Sequence, residues 1–138
     1  MQPDSTAIEI PATHIDLLKR ETKAFAMLAL TLSDGSPHVT PIWFDWDGTS
    51  IIINTARNRV KDKILRKHPK VAVLISAPDD PYRYIHLRGR VAEETEEGAY
   101  EEICDLREKY EGDRNFPKRP GQVRVTYKIL PEKIFADT

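Results

Sequence analysis

Residues 37–56 read PHVTPIWFDWDGTSIIINTA. Asp47-Gly48 is a pair that tolerates the positive φ angles of a tight hairpin turn, and residues favouring extended backbone flank it on both sides. His38 to Trp46 is therefore expected as one strand and Ser50 to Ala56 as the next. Ile51-Ile52-Ile53 does not alternate with polar residues, which predicts a strand buried on both faces. Upstream, SDGSP at 33–37 supplies the residue types that turns need, so Phe25 to Leu32 becomes the preceding strand. The first half of the chain thus reads as an antiparallel meander of three strands.

Further along, Val60 to His68 fits a two-turn helix stopped by Pro69. Val71 to Ala77 is a fourth strand, and Pro78-Asp79-Asp80-Pro81 a turn. In a fifth strand, Tyr82 to Val91, residues Ile85, Leu87 and Val91 face one way; Tyr82, Tyr84, His86, Arg88 and Arg90 face the other. A second helix is expected from about Thr95 to Glu111. Thr95 would cap it, Glu96 and Glu97 suit its positive end, Gly112 would end it, and Ala99, Ile103, Leu106 and Tyr110 form its apolar stripe. After a proline-rich loop at 115–121, Val123, Val125, Tyr127 and Ile129 alternate along a sixth strand. Near the start, ATHIDLLKRE at 12–21 has the spacing of a short amphipathic helix. The expected fold is mainly β: one domain over 1–138, with an N-terminal helix in 1–22 and a six-stranded antiparallel barrel over 23–135.

A chain of 138 residues with net charge −1 has enough length for one core and lacks the basic excess of a dedicated nucleic-acid binder. Its longest apolar run, 24–30, is too short to span a bilayer, and residues 1–11 lack a secretory pattern. A single cysteine, Cys104, excludes an internal disulfide framework and a thiolate zinc site. These features point to the cytoplasm, with no membrane or nucleic-acid partner.

Against this neutral background, residues 54–70 (NTARNRVKDKILRKHPK) gather Arg57, Arg59, Lys61, Lys63, Arg66, Lys67 and Lys70 against one acid, Asp62. On a helical wheel starting at Val60, Ile64 falls at about 40° and Leu65 at about 140°, with Lys61 between them at about 100°. Asp62, Lys63, Arg66 and Lys67 fall on the side expected to be wetted. A lysine on the packed side of a first turn must meet an anion or reach past its neighbours. Arg59 precedes the helix, where free backbone N–H groups already favour negative charge. Two arrangements satisfy these residues: a phosphate cradle, or pairing with the protein's own carboxylates.

PHVTPIWFDWDG at 37–48, INTARNRVKDKILRKHPKVAVLI at 53–75 and PYRYIHLRGRV at 81–91 together resemble the pyridoxamine 5′-phosphate oxidase-like split β-barrel flavoproteins. Within them the sequence looks most like the deazaflavin branch, whose members use coenzyme F420. The resemblance implies a homodimer with cofactor at the subunit interface and a small-molecule substrate. It also implies that the R-x-K step Arg59-Val60-Lys61 grips the cofactor phosphate, and that Asn54 and Thr55 lie along the ribityl chain. His38, Val39, Thr40, Pro41 and Ile42 would lie against the ring. The chain ends at PEKIFADT, without the longer segment of the true pyridoxamine phosphate oxidases, so vitamin B6 oxidation is not expected.

The expected function is hydride transfer from reduced F420 to an unsaturated or quinone-like molecule. The alternatives are an FMN-dependent oxidase or reductase, and a non-enzymatic flavin or F420 carrier. Such cofactors perform the difficult chemistry themselves, so no side-chain nucleophile and no metal is expected. His14, His38, His68 and His86 are scattered, and Cys104 adjoins the apolar stripe of the late helix.

Overall fold

The turns on either side of residues 37–46 both form, with Gly35 at φ 89° and Gly48 at φ 98°, a region open to glycine. The computed structural model describes residues 8–137. β1 (Phe25–Thr31) passes through the first turn, where Asp34 accepts the Ser36 amide at 2.9 Å, into β2 (Pro37–Ile42). β3 (Asp45–Trp46) follows, and Asp47 then accepts the Thr49 and Ser50 amides at 2.8 and 2.7 Å to start β4 (Ile51–Ala56). The remaining elements are α1 (Val60–Lys67), β5 (Lys70–Ala77), β6 (Asp80–Thr95), α2 (Ala99–Glu111) and β7 (Arg124–Asp137).

All strand pairs are antiparallel, in the order β2-β1-β5-β6-β7-β4-β3. The two ends of that order, β2 and β3, are separated in sequence by only Trp43 and Phe44. One chain segment therefore borders both edges, and the sheet must curl towards closure. Its inner face carries Leu28, Val73, Ile75, Ile85, Leu87, Val125, Tyr127 and Ile129, all fully buried, with Ile64 and Leu65 of α1 in the same core. The architecture is the mainly β, curled antiparallel split barrel that was expected.

Seven strands appear where six were expected, because the segment 38–46 breaks at Trp43-Phe44. Phe44 is fully buried and its backbone is taken by α2: Lys109 Nζ donates to its carbonyl at 2.6 Å, and Tyr110 Oη accepts its amide at 3.4 Å. Groups bonded to a helix cannot continue a strand ladder. The expected helix at 12–21 is instead two 3₁₀ turns, Ile15–Leu18 and Arg20–Thr22, separated by an extended Lys19. Consecutive Leu17 and Leu18 are both buried there. α2 starts at Ala99 rather than near Thr95, because Thr95 still pairs with Thr126 in the sheet and Gly98 turns the chain at φ 72°. In β4, Ile51 and Ile53 are buried but Ile52 is only half-buried.

β6 and β7 run well beyond the expected 82–91 and 123–129. Their ladder slips at Gly89, which faces Pro131 while Arg88 faces Lys133. A bulge at Glu132 accommodates a proline that has no amide to donate. Among the described residues no helix is long and apolar enough to cross a membrane.

Candidate cofactor-binding site

β4 leads directly into the turn 57–59 and then α1. Asn58 adopts φ 73°, a left-handed conformation that asparagine tolerates. Asp62 pegs this turn. Its Oδ2 accepts the Asn58 amide at 2.8 Å and an Arg66 N–H at 3.0 Å; its Oδ1 accepts Tyr127 Oη–H at 2.6 Å and Arg57 at 3.0 Å. Asp62 was expected on the wetted side of the helix but is fully buried. A first-turn carboxylate folds back onto preceding amides, so its helical-wheel angle misstates its environment. Burial pushes its pKa up, yet the bonds from Tyr127, Asn58 and Arg57 outweigh this and hold it below 3.8. Arg57 also donates to Glu94 at 2.6 Å and Glu96 at 2.7 Å, which raise its own pKa. Arg57 and Arg66, two of the seven clustered cations, are therefore neutralised within the fold.

Arg59 and Lys61 are not. Arg59 occupies the position before α1 in extended conformation, φ −75° and ψ 164°, and its carbonyl accepts the Lys63 amide at 3.0 Å. Neither the Arg59 nor the Lys61 side chain has a hydrogen-bond or carboxylate partner among the described residues. Lys61 is half-buried, and its pKa is lowered by desolvation and then by Arg59. Between them Val60 is 55% exposed, an apolar surface at the same step.

Arg124 of β7 joins this pair, although nothing in its sequence context distinguished it. It alternates with Val123 and Val125 as a surface arginine would, and only the register Ala56↔Arg124 places it beside the 57–59 turn. It is buried, donates from Nε to Asn54 Oδ1 at 2.9 Å, and lies 4.9 Å from the Phe116 ring centroid. Burial, then Arg59 and Arg119, push its pKa down to about 10. Asn54 is held in turn, its Nδ2 donating to Ala99 O at 2.8 Å and Thr126 Oγ1 at 3.2 Å. Thr55, next to it, is buried. Arg59 thus repels both Lys61 and Arg124, none of the three has a carboxylate partner among the described residues, and an anion would relieve that repulsion.

The other expected residues lie on β2. Thr40 and His38 are half-buried opposite Leu28 and Leu30; Val39 and Pro41 are exposed opposite Ala29 and Met27. Among the described residues Thr40 Oγ1 is buried without a hydrogen-bond partner, a polar group that a ligand atom could satisfy. Among the described residues the outer edge of β2 pairs with no strand. Among the described residues no hydrogen bond or ring contact links His38–Pro41 to Asn54–Lys61. α1 packs against β4, which leads into it, and against β1, the strand that pairs with β2. The unpaired cations fit a phosphate, and the free β2 edge with the Thr40 hydroxyl fits the polar rim of a flat ring.

The solved structures with this architecture include an F420 reductase, at 28% identity and TM-score 0.80, covering 91% of this chain and 98% of that one. They also include a conserved hypothetical protein of Mycobacterium tuberculosis (23% identity, TM-score 0.70, covering 94% and 85%) and HupZ of group A Streptococcus (20%, 0.65, covering 94% and 99%). The last two show the fold alone. No curated protein matches the sequence. The family model for pyridoxamine 5′-phosphate oxidase matches residues 12–135, nearly the whole barrel and both halves of the site described above. The chain belongs to the pyridoxamine 5′-phosphate oxidase family.

Proposed function

We propose that the protein is an oxidoreductase that binds the deazaflavin coenzyme F420 and serves hydride transfer to an unsaturated or quinone-like small molecule. The observation that carries this reading is the placing of Arg59 before α1 and Lys61 in its first turn, with Arg124 opposite Ala56 and acted on by Arg59, and no carboxylate partner for any of them among the described residues. The likeness to an F420 reductase supports deazaflavin over FMN. Reduced deazaflavin, when bound, supplies a hydride. The chain's own tasks are to bind, orient and exclude water. Arg59, Val60 and Lys61 hold the phosphate, and Asn54 fixes Arg124 behind them. Asn54 and Thr55 border the ribityl chain; His38, Val39, Thr40 and Pro41 present apolar and polar atoms to the ring.

A second copy of the chain would complete the site as a homodimer. Pro41, Met27, Leu74, His86 and Phe135 are direct cross-strand neighbours, forming one row over five strands on the outer face. Met27, Leu74 and Phe135 are exposed, as is Val39 beside them, and an exposed apolar face of this kind favours association.

Titrating purified protein with each cofactor tests the reading. F420 fluorescence should be quenched on binding, with a lower Kd than FMN. Tighter binding of FMN would favour the flavin alternative, and binding of neither would remove the proposed site. Turnover of enones or quinones with reduced F420 separates an enzyme from a carrier.

A further inference from the structure

The last turns of α2 tie the start of β1 to the end of β2. Tyr110 Oη donates to Ala24 O at 2.6 Å, just before β1, and accepts the Phe44 amide at 3.4 Å, just after β2. Its ring stacks on Phe25 and on Trp43, each with centroids 5.4 Å apart. Lys109 is only 3% exposed; its Nζ donates to Phe44 O at 2.6 Å and lies 4.0 Å from the Phe44 ring centroid. One helix therefore holds the carbonyl, the amide and the ring of Phe44.

Seven positions before Lys109, on the same face of α2, lies Glu102. Its Oε2 is buried without a hydrogen-bond partner among the described residues, and the cofactor reading makes no use of it. Asp45, the first residue of β3, repels a charged Glu102 and attracts a charged Lys109. The other charged groups facing the pair are Asp105 on α2, Arg20 of the second 3₁₀ turn and Lys128 of β7. Arg20 is already committed, donating to Asp45 Oδ2 at 2.6 Å and to Asp105 O at 3.0 Å, and Lys128 lies 3.5 Å from Asp47. An ionised Glu102 would thus sit buried beside two aspartates, with no donor bonded to its Oε2.

We propose that α2 is a proton-sensitive clamp on residues 43–46: Lys109 and Tyr110 hold the segment, and Glu102 loosens that hold when it ionises beside Asp45 and Asp105. Burial, then Asp45 and Asp105, push the Glu102 pKa from 4.5 up to about 7. Between those values the clamped segment keeps a proton that it would release once opened to water, so the clamp weakens as pH rises through that window. Lys109 works with the opposite sign: burial pushes it down to about 8, so the clamp regains strength above that pH. Tyr110, its pKa raised by burial, stays a neutral donor throughout. Residues 43–46 follow directly on β2, so slackening there frees the strand that carries His38, Val39, Thr40 and Pro41. That consequence for cofactor affinity rests on the reading above, whereas the clamp does not.

The chain's two tryptophans, Trp43 and Trp46, lie within the segment and report on it. Acrylamide quenching of their fluorescence, measured without cofactor, should rise about twofold between pH 5 and pH 7.5 in native protein. Glu102→Gln has no charge to develop and should give a flat profile at the low native value, with an unchanged circular dichroism spectrum. Tyr110→Phe keeps the ring stack but drops the hydroxyl bonds, and should be quenched at pH 5 as strongly as native protein is at pH 7.5. A flat native profile would overturn the clamp, as would a rise of equal size in Glu102→Gln or native-like quenching of Tyr110→Phe at pH 5. The F420 affinities of native protein and Glu102→Gln should agree at pH 5, and the variant should bind more tightly at pH 7.5. Equal affinities at both pH values would overturn the link from the clamp to β2. If neither protein binds F420 while the quenching behaves as expected, the cofactor reading falls and the clamp stands.

Discussion

Asp62 shows how far a charge can depart from its place on a helical wheel. Its burial is tolerated because four donors converge on it, and removing it would leave Arg57, Tyr127 and the Asn58 amide short of an acceptor. Asp62→Ala should cost about 3–5 kcal/mol, read as a loss in denaturant midpoint. Its folded pKa lies below the 3.8 of a free carboxyl, so its stabilisation is complete above that value. The contribution is lost as pH falls through the lower folded value, and the acid limb of the stability curve should flatten in Asp62→Asn. At this scale Arg59 and Lys61 were legible in the sequence, because their placement depends only on the local step from strand to helix. Arg57 looked the same as they did. Its neutralisation by Glu94 and Glu96 depends on residues some forty positions away and on a shifted register near Val91. Arg124 was hidden for the same reason.

Among the elements, α2 carries an unusual load, with Lys109 and Tyr110 both engaging Phe44 where the barrel-closing segment bends. Glu102 of the same helix is pushed up to about 7 by burial, then by Asp45 and Asp105, and its Oε2 has no hydrogen-bond partner among the described residues. Between the ordinary value of 4.5 and about 7 the folded protein holds a proton that the unfolded chain releases, so stability falls as pH rises across that window. Glu102→Gln should therefore stabilise at pH 8 by about 1 kcal/mol after screening is allowed for, and leave stability near pH 4 unchanged. The β6–β7 arms make a second prediction. A Cβ added at Gly89 would collide with the backbone carbonyl oxygen of Leu130, so Gly89→Ala should lower stability by about 2–4 kcal/mol. The hairpins and α1 were legible because turn residues and short periodicities announce them. The extra length of β6 and β7 was not, since exposed Glu93 and Glu94 and the sequence Pro131-Glu132-Lys133 carry no strand signal of their own. Only the neighbouring strand recruits them.

For the whole molecule, the sheet order and closure follow from β2 and β3 sharing one segment, a relation that strand counting alone did not reveal. If the outer row of Met27, Leu74 and Phe135 is covered by a second copy, sedimentation should give twice the chain mass, and Leu74→Glu should shift it towards the monomer while keeping the circular dichroism spectrum. β7 also has a consequence for biosynthesis. It follows both β4 and β6 in the chain, yet it lies between β6 and β4 and bonds to both. A nascent chain emerged only as far as residue 123 would present two bare strand edges to the crowded exit of the ribosome, an invitation to intermolecular pairing. Closure must wait for residues 124–137, so chaperone attendance during translation, rather than native-state stability, would set the yield of this fold in the cell.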